Sequence, residues 1–508
     1  MTQTSQILIR GGQVYDHDGD VHRPAVADVL IEGSEIAAVG GDLSARVGPQ
    51  AKIIDAANRL VVPGLINAHY HSHDVLCRGM FEEMPLEMWL LYTLPMGANR
   101  TKEEVRARTL VGAVESLRAG ITTVQDMLGL VPFAGDYVDV VIQAYRDAGI
   151  RVVFSPMVSD IPSVSMVRHK DALPSDVQDM LGTKALSIGE QTDFLETQFK
   201  RHAASSKEEG GTLHWAVAPF APQRCTPKML EACAGLSEKY DLPVYTHVYE
   251  TRGQLLIGRE LFAQHDGSLI NYLKSGGLLT PRLNIVHSVW ISRREMDRMA
   301  DAGAGAVLNH LSNLKLKSGI APVVDMRESG MRLGLGCDNC SGSDVQNMFQ
   351  AMKLFCLFAA VSEPEPGPPL AHEALRHATL GNARTAGLHG RLGAIRAGYK
   401  ADLMLIDLDD LAYLPFNSAA RQLVYTETGR GIETVIVDGR VVVDDRRVTT
   451  VDVDDLRREV KDLMRHFVAD YDDVVRSRKR ALPHLLEAHR RVWQTDAGIH
   501  RFLSRTRE

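Results

Sequence analysis

The chain has 508 residues, 45% hydrophobic and 24% charged, with a net charge of −7, the make-up of a soluble globular protein long enough for a large domain plus a smaller one. No basic patch points to nucleic acid. No uninterrupted apolar run is long enough to span a membrane, and the opening MTQTSQILIRGG lacks the charged-then-apolar layout of a signal peptide. The six cysteines are scattered, which suits a reducing cytoplasm better than a disulfide framework. Cys337 and Cys340 form a lone CxxC, thin ground for a zinc knuckle or a redox pair.

In chain order, residues 7–12, 29–33 and 36–40 read as strands of a small sheet, and the same texture returns at 401–407 and 434–443. Between the two ends, short apolar strands alternate with amphipathic helices. Eight strands are expected, around 62–70, 120–126, 151–158, 214–220, 242–248, 283–289, 304–310 and 332–338, with helices such as Lys102–Arg118 between them. Eight βα units over roughly 300 residues predict an α/β chain with a (β/α)8 TIM-type barrel. An open doubly wound sheet is the competitor, disfavoured because no Gly-rich phosphate fingerprint follows the first strand. The expected organisation is a composite β-sandwich domain from 1–62 and 385–450, the barrel over 63–384, and a C-terminal helical extension over 451–508. In that extension Leu456, Val460, Leu463, Met464, Phe467, Val468 and Tyr471 fall at helical spacing, and Pro483 breaks or restarts the helix. The RSRKR run at 476–480 reads as a solvated helix face.

In such a barrel the chemistry sits at the carboxyl ends of the strands. There the sequence places His69 and His71 (NAHYHSHD), His247 (VYTHVYET), His287 (NIVHSVW) and Asp338 (LGLGCDN). Any one alone reads as a hydrogen-bonded strand-end residue, or for Asp338 as a helix cap. Four histidines and a carboxylate converging on one mouth suit Zn²⁺ or Fe²⁺. Residues i and i+2 of a strand share a face, so His69 and His71 reach one ion together. His73 has the same phase but lies past the strand end, as a pocket or loop residue.

The strings VVPGLINAHYH, HVYE (247–250), SNLKLKSGIAP (312–322), GLGCDN (334–339) and, at 377–407, HATLGNARTAGL…GRLGAIRAGYKADLMLIDL resemble the amidohydrolase superfamily. The closest likeness is to its branch of cytosine deaminase-like enzymes, adenosylhomocysteine deaminases and triazine chlorohydrolases. The resemblance implies that His69, His71, His247 and Asp338 hold one metal and that Glu250 shuttles protons. It further implies that His287 stays off the metal and orients or polarises the reacting water, and that Asp338 accepts that water's second proton. The lysine that bridges two metals in some members has no counterpart in HWAVAPFAPQRC (214–225), so one divalent ion per chain is expected, Zn²⁺ ahead of Fe²⁺. The implied reaction is that of an aminohydrolase, in which metal-activated water displaces an amino group from an N-heteroaromatic or amidine-type carbon. The same scaffold acting as a chlorohydrolase or an amide/urea hydrolase is the alternative, and a non-enzymatic scaffold the remote one.

Two departures bear on the substrate. Leu308 stands where the branch usually has a substrate-binding histidine, with His310 two residues on, and NCSGS at 339–343 replaces the usual Gly-Ala-Ala-Ser-Asn. Both argue against adenosylhomocysteine or methylthioadenosine. The loop 78–96 resembles a mobile cover, and its Met80, Met84, Met88, Trp89 and Tyr92 either line a pocket for a flat ring or pack a helix. Candidate substrate contacts are therefore His73, Met84, Trp89, Arg224 (a clamp for carboxylate or phosphate, or an external salt bridge), His310 and Asn339. The expected partner is a small heterocyclic or aromatic molecule, without nucleic acid or membrane. A cytoplasmic homodimer or higher oligomer is expected, with the helices from 453 as its interface.

Overall fold

Two parallel sheets make the centre of the molecule. Strand one, Leu65–Tyr70, pairs with strand two, Ile121–Leu128, then strand three, Arg151–Val158, then the two pieces of strand four, Leu213–Trp215 and Ala218–Pro219. Strands five to eight, Val244–Val248, Leu283–His287, Gly305–Leu308 and Arg332–Leu335, follow one another in a second parallel sheet. A parallel bridge between Val217 and Val244 joins the sheets. At the opposite seam the Asp338 N–H donates to the His69 carbonyl at 2.9 Å. Gly336 allows that approach, since a Cβ there would sit 2.9 Å from the Cβ of His69. Strands one, two, five, six and seven are buried at every residue. That is what continuous apolar runs do when both faces of a parallel sheet are covered. The computed structural model, which describes residues 5–182, 186–208 and 211–502, is thus a parallel α/β fold consistent with a TIM-type barrel. The outermost few residues of the expected first and last segments lie outside the described residues.

Strands from both chain ends join one nine-stranded sheet. The apolar run at 60–66 is divided between the two units, which corrects the expected strand at 62–70. Arg59–Pro63 pairs antiparallel with Leu403–Asp407 in the terminal sheet, and Leu65 then opens strand one. Between them the Gly64 N–H donates to the Asp402 carbonyl at 2.9 Å. Alternate residues of this sheet, among them Ile9, Val29, Ile31, Val61, Leu403 and Ile436, close on a core of their own. Wholly buried Arg151 ties the sheet to strand three: its Nε and Nη2 donate to Asp402 at 3.0 and 2.9 Å, and Nη2 reaches Asp438 at 2.9 Å.

Helix α1 (Leu86–Gly97) covers the mouth of the strands, and helix α2 (Lys102–Arg118) opens on a Thr101/Glu104 capping box. The C-terminal helices are Val453–Leu463, Phe467–Arg478 and Leu482–Gln494, the last with Pro483 in its first turn, so the proline restarts the helix. Trp89, Tyr92 and Met96 of α1 share one apolar cluster with Phe467, Leu485 and Ala488. The RSRKR run is more than a solvated face: Arg478 donates to the Met180 carbonyl at 2.8 Å and Arg480 pairs with Asp176 at 3.1 Å. All six cysteines are free and buried, with Cys337 Sγ 3.6 Å from Met348 Sδ, so the CxxC is packing. No described helix is long and apolar enough to cross a membrane.

Candidate active site

The strand ends bring His69, His71, His247, His287 and Asp338 into one buried cage. Asp338 Oδ1 lies 3.4 Å from Nε2 of both His69 and His71. Donors about 2.1 Å from a tetrahedral ion stand about 3.4 Å apart, so this spacing is that of a shared ion. Within each of two sets, His69, His71 and Asp338, and His69, His247 and His287, the ligating atoms lie within 4.8 Å of one another. The His69 ring is wholly buried, and its Nε2 meets the Asp338 carboxylate only at a long 3.4 Å, an arrangement that a ligand between them would relieve.

Backbone and amide carbonyls set the imidazole tautomers. His71 Nδ1 donates to the Met127 carbonyl, His247 Nδ1 to the Phe220 carbonyl at 2.7 Å, and His287 Nδ1 to Asn313 Oδ1 at 2.9 Å. A carbonyl only accepts, so each Nδ1 carries the hydrogen and each Nε2 presents a bare lone pair. His73 is reversed. The Gly129 N–H donates to its Nδ1 at 3.2 Å, which puts the ring hydrogen on Nε2. His73 is thereby a donor at the cavity wall rather than a lone-pair ligand.

The two carboxyls of the site are shifted in opposite directions. Burial, then the charges of Asp338 and Glu87, push the Glu250 carboxyl well above its usual range. Burial acts the same way on Asp338, but hydrogen bonding and charge from His69, with His287 and His71, outweigh it and hold the group well below the carboxylate range. Burial, reinforced by neighbouring imidazoles, keeps His247 far below its ordinary value. Burial likewise lowers His287 to about 4, against the opposing pull of Asp338. His287 Nε2 lies 3.6 Å from Glu250 Oε2 and 3.8 Å from Asp338 Oδ2. Two carboxyls shifted in opposite directions on either side of one imidazole are a pairing that divides acid from base roles. His287 and Asp338 both adopt left-handed backbone, φ 76° and 65°, a conformation costly for side-chain-bearing residues and frequent where a site imposes it. Gln254 fixes the segment between: its Oε1 accepts from the Glu250 N–H at 2.8 Å and its Nε2 donates to the His247 carbonyl at 3.0 Å.

Above the cage lies a cavity of about 40 Å³, walled by Leu86, Leu90, Leu94, Met157, Met166 and Phe220. That is room for about one water, less than a ring occupies. His73, Trp89 and Asn339 line it as expected, and Trp89 Nε1 donates to Ser341 Oγ at 3.1 Å. Three expected contacts are not brought there. Met84 packs into the cluster under the C-terminal helices. Arg224 is buried over the Phe220 ring, with Nε donating to the Ile161 carbonyl at 3.0 Å and Nη2 to Ser159 Oγ at 2.9 Å, so it is a staple of the loop and neither a clamp nor an external salt bridge. His310 is 1% exposed, its ring 5.1 Å from Phe358, outside the cavity lining. Sequence reasoning missed the leucine wall, although Leu86, Leu90 and Leu94 at i, i+4 and i+8 carry its signal. It also missed Asp74, which accepts from the N–H groups of Cys340 and Ser341 at 3.1 and 3.0 Å and from the Ser341 hydroxyl.

Fold and site together define a metal-assisted hydrolase. The profile of the amidohydrolase family matches residues 60–442, and the chain belongs to that family; it is an enzyme of the kind that acts on carbon–nitrogen bonds. A 5-methylthioadenosine/S-adenosylhomocysteine deaminase of Nitratidesulfovibrio vulgaris is 32% identical over 436 residues, 85% of this chain and 90% of its own length. One from Syntrophobacter fumaroxidans is 29% identical over 463 residues, 91% and 98% of the two chains. The zinc complex of the atrazine chlorohydrolase TrzN from Arthrobacter aurescens superposes with a TM-score of 0.80 at 26% identity, over 90% of this chain and all of its own. The donor set and the zinc-bound chlorohydrolase support a divalent-metal site.

Proposed function

We propose that the protein is a hydrolytic deaminase of a compact N-heteroaromatic or amidine-bearing compound, with one zinc ion per chain. The observation that carries this reading is the Glu250–His287–Asp338 set, two carboxyls shifted in opposite directions beside one imidazole, with His71 and His247 already in the ligating tautomer. His69, His71, His247 and Asp338 would hold the ion; three imidazoles and a carboxylate suit zinc. When bound, the metal supplies a water acidified toward neutral pH. Glu250 takes a proton from the reacting water and returns it to the ring nitrogen beside the attacked carbon. His287, held by Asn313, keeps Nε2 on that water, and Asp338 accepts the second proton and passes it to the departing amino group, which leaves as ammonia. His73 Nε2–H offers a hydrogen bond to an acceptor on the ring.

The apolar walls support a small ring over the nucleosides named for the curated relatives. The same walls favour one second reading, loss of chloride or an alkylamine from a substituted ring. The test is a product assay on metal-quantified protein with a panel of aminated, chlorinated and amide-bearing heterocycles. Ammonia release at about one metal per chain is the expected result; chloride or amine release without ammonia would move the protein to the second reading.

The sheet-joining bridge and the Asp338–His69 hydrogen bond support a closed eight-stranded barrel over 63–384. The terminal sheet's own core supports a composite β-sandwich of 1–62 and 385–450, with 451–508 as a helical extension. Six free cysteines support a cytoplasmic setting. Val468, exposed on the helix Phe467–Arg478, supports an oligomer contact there.

A further inference from the structure

We propose a second binding site, on the far side of Gln346 from the metal cage, for an anion carried on an apolar body. A groove of about 730 Å³ runs between α2, the helix Val453–Leu463 and the turn at 428–430. This is the size of an ordinary small-molecule pocket, far larger than the cavity over the cage. Its floor is aliphatic, from Val111 and Val114 of α2 and Leu456 and Val460 of the facing helix.

The rim is cationic: Arg78, Arg118, Arg430, Arg457 and Lys461 line it, against Glu115 as the one lining carboxylate. Arg430 and Arg457 pair with Asp410 and Asp454, which do not line the groove. Arg118 and Lys461 are exposed and have no carboxylate partner among the described residues. Two unmatched cations facing each other over an aliphatic floor select a negative head on an apolar body. Guanidinium and ammonium together accommodate phosphate-type and carboxylate heads alike.

The groove also has a physical path to the catalytic ligands. Glu115 holds Arg78, and Arg78 Nη2 lies 3.5 Å from Cys340 Sγ. On the inner wall, Gln346 donates through Nε2 to the Asp338 carbonyl at 2.9 Å and accepts at Oε1 from Asn67 at 2.7 Å. Asn67 in turn accepts from the Cys337 N–H at 2.9 Å. An anion that competes with Glu115 for Arg78 therefore loosens the segment that holds strands one and eight in register at the cage. Occupancy of the groove is coupled to turnover.

The test is calorimetric titration of the full-length, metal-loaded enzyme with phenylphosphonate, and in parallel with phenylacetate, which separates phosphate-type from carboxylate heads. Saturable binding of either probe is expected, weakened at least roughly tenfold in the Arg118→Ala/Lys461→Ala double variant and at high salt. The variant's turnover without probe should match wild type, because neither residue touches the cage. Saturating probe should change wild-type kcat/KM by roughly fivefold or more. Absence of saturable binding overturns the site, as does equal affinity in the double variant, or inhibition that is purely competitive with substrate, which would place the probe over the cage. Self-association of wild type that the double variant abolishes also overturns it, since a second copy would then occupy the groove. Binding with unchanged turnover overturns the coupling through Gln346.

Discussion

Replacing Glu250 with Gln isolates proton transfer from everything else the residue does. The side chain keeps its size, and its backbone N–H stays held by Gln254 at 2.8 Å. Glu250 is 5% exposed and lies beside the ionised Asp338, so the neutral amide removes a like-charge conflict rather than a supporting contact. The fold and the four donors are untouched. The amide cannot carry a proton, so the loss is that of a general acid–base group, about 10²- to 10⁴-fold in kcat, or about 2.7 to 5.4 kcal/mol of barrier at about 1.36 kcal/mol per factor of ten. The assay is product release at saturating substrate, read beside metal stoichiometry and the thermal midpoint. We expect the rate to collapse while metal content holds and the midpoint is unchanged or higher. The raised pKa also sets a sign: wild-type kcat/KM falls as pH drops through a value above the ordinary carboxylate range, and the variant's residual rate lacks that limb. A Glu250→Gln enzyme with near-normal turnover refutes the assignment.

Other perturbations address the remaining structure. His247→Ala should strip the metal after dialysis; retention of about one ion per chain would remove His247 from the ligand set. Arg151→Met leaves Asp402 and Asp438 buried without their cation, a loss of about 3–5 kcal/mol that a clear drop in thermal midpoint would show. Arg224→Gln should lower stability without altering the preference for anionic over neutral substrates; a selective loss of anionic substrates would restore Arg224 as a clamp. Burial raises the Glu373 carboxyl, but its bonds to His377 and Arg327 prevail and lower it to about 2. A depressed carboxylate stabilises above its unfolded pKa, so the stability gap between wild type and Glu373→Gln should be full near neutrality. It should narrow as pH falls below about 4.5, and a gap unchanged down to pH ~3 would refute the pairing.

The cage was legible because it depends on local periodicity: His69 and His71 share a strand face whatever surrounds them, and His247, His287 and Asp338 each close an apolar run. The same holds for α2, whose start is marked by Thr101 and Glu104. The pocket walls were not legible, because they depend on which distant loops meet. Arg224 reads as a clamp or an external salt bridge, and only the fold brings Ile161 and Ser159, more than sixty residues earlier, to its guanidinium. Met157, Met166 and Phe220 carry no pattern that marks them as cavity rather than core. The apolar run at 60–66 reads as one strand, and only the pairing of Arg59–Pro63 with a strand over three hundred residues on shows that it serves two sheets.

The cover over the cage leans on helices that contribute no ligand. Leu86 and Trp89 wall the cavity from one side, and on their other side belong to the cluster with Phe467, Leu485 and Ala488. Substitutions in the last helices therefore reach the cover over the cage through Leu86 and Trp89 without altering any member of the His69, His71, His247, His287 and Asp338 set.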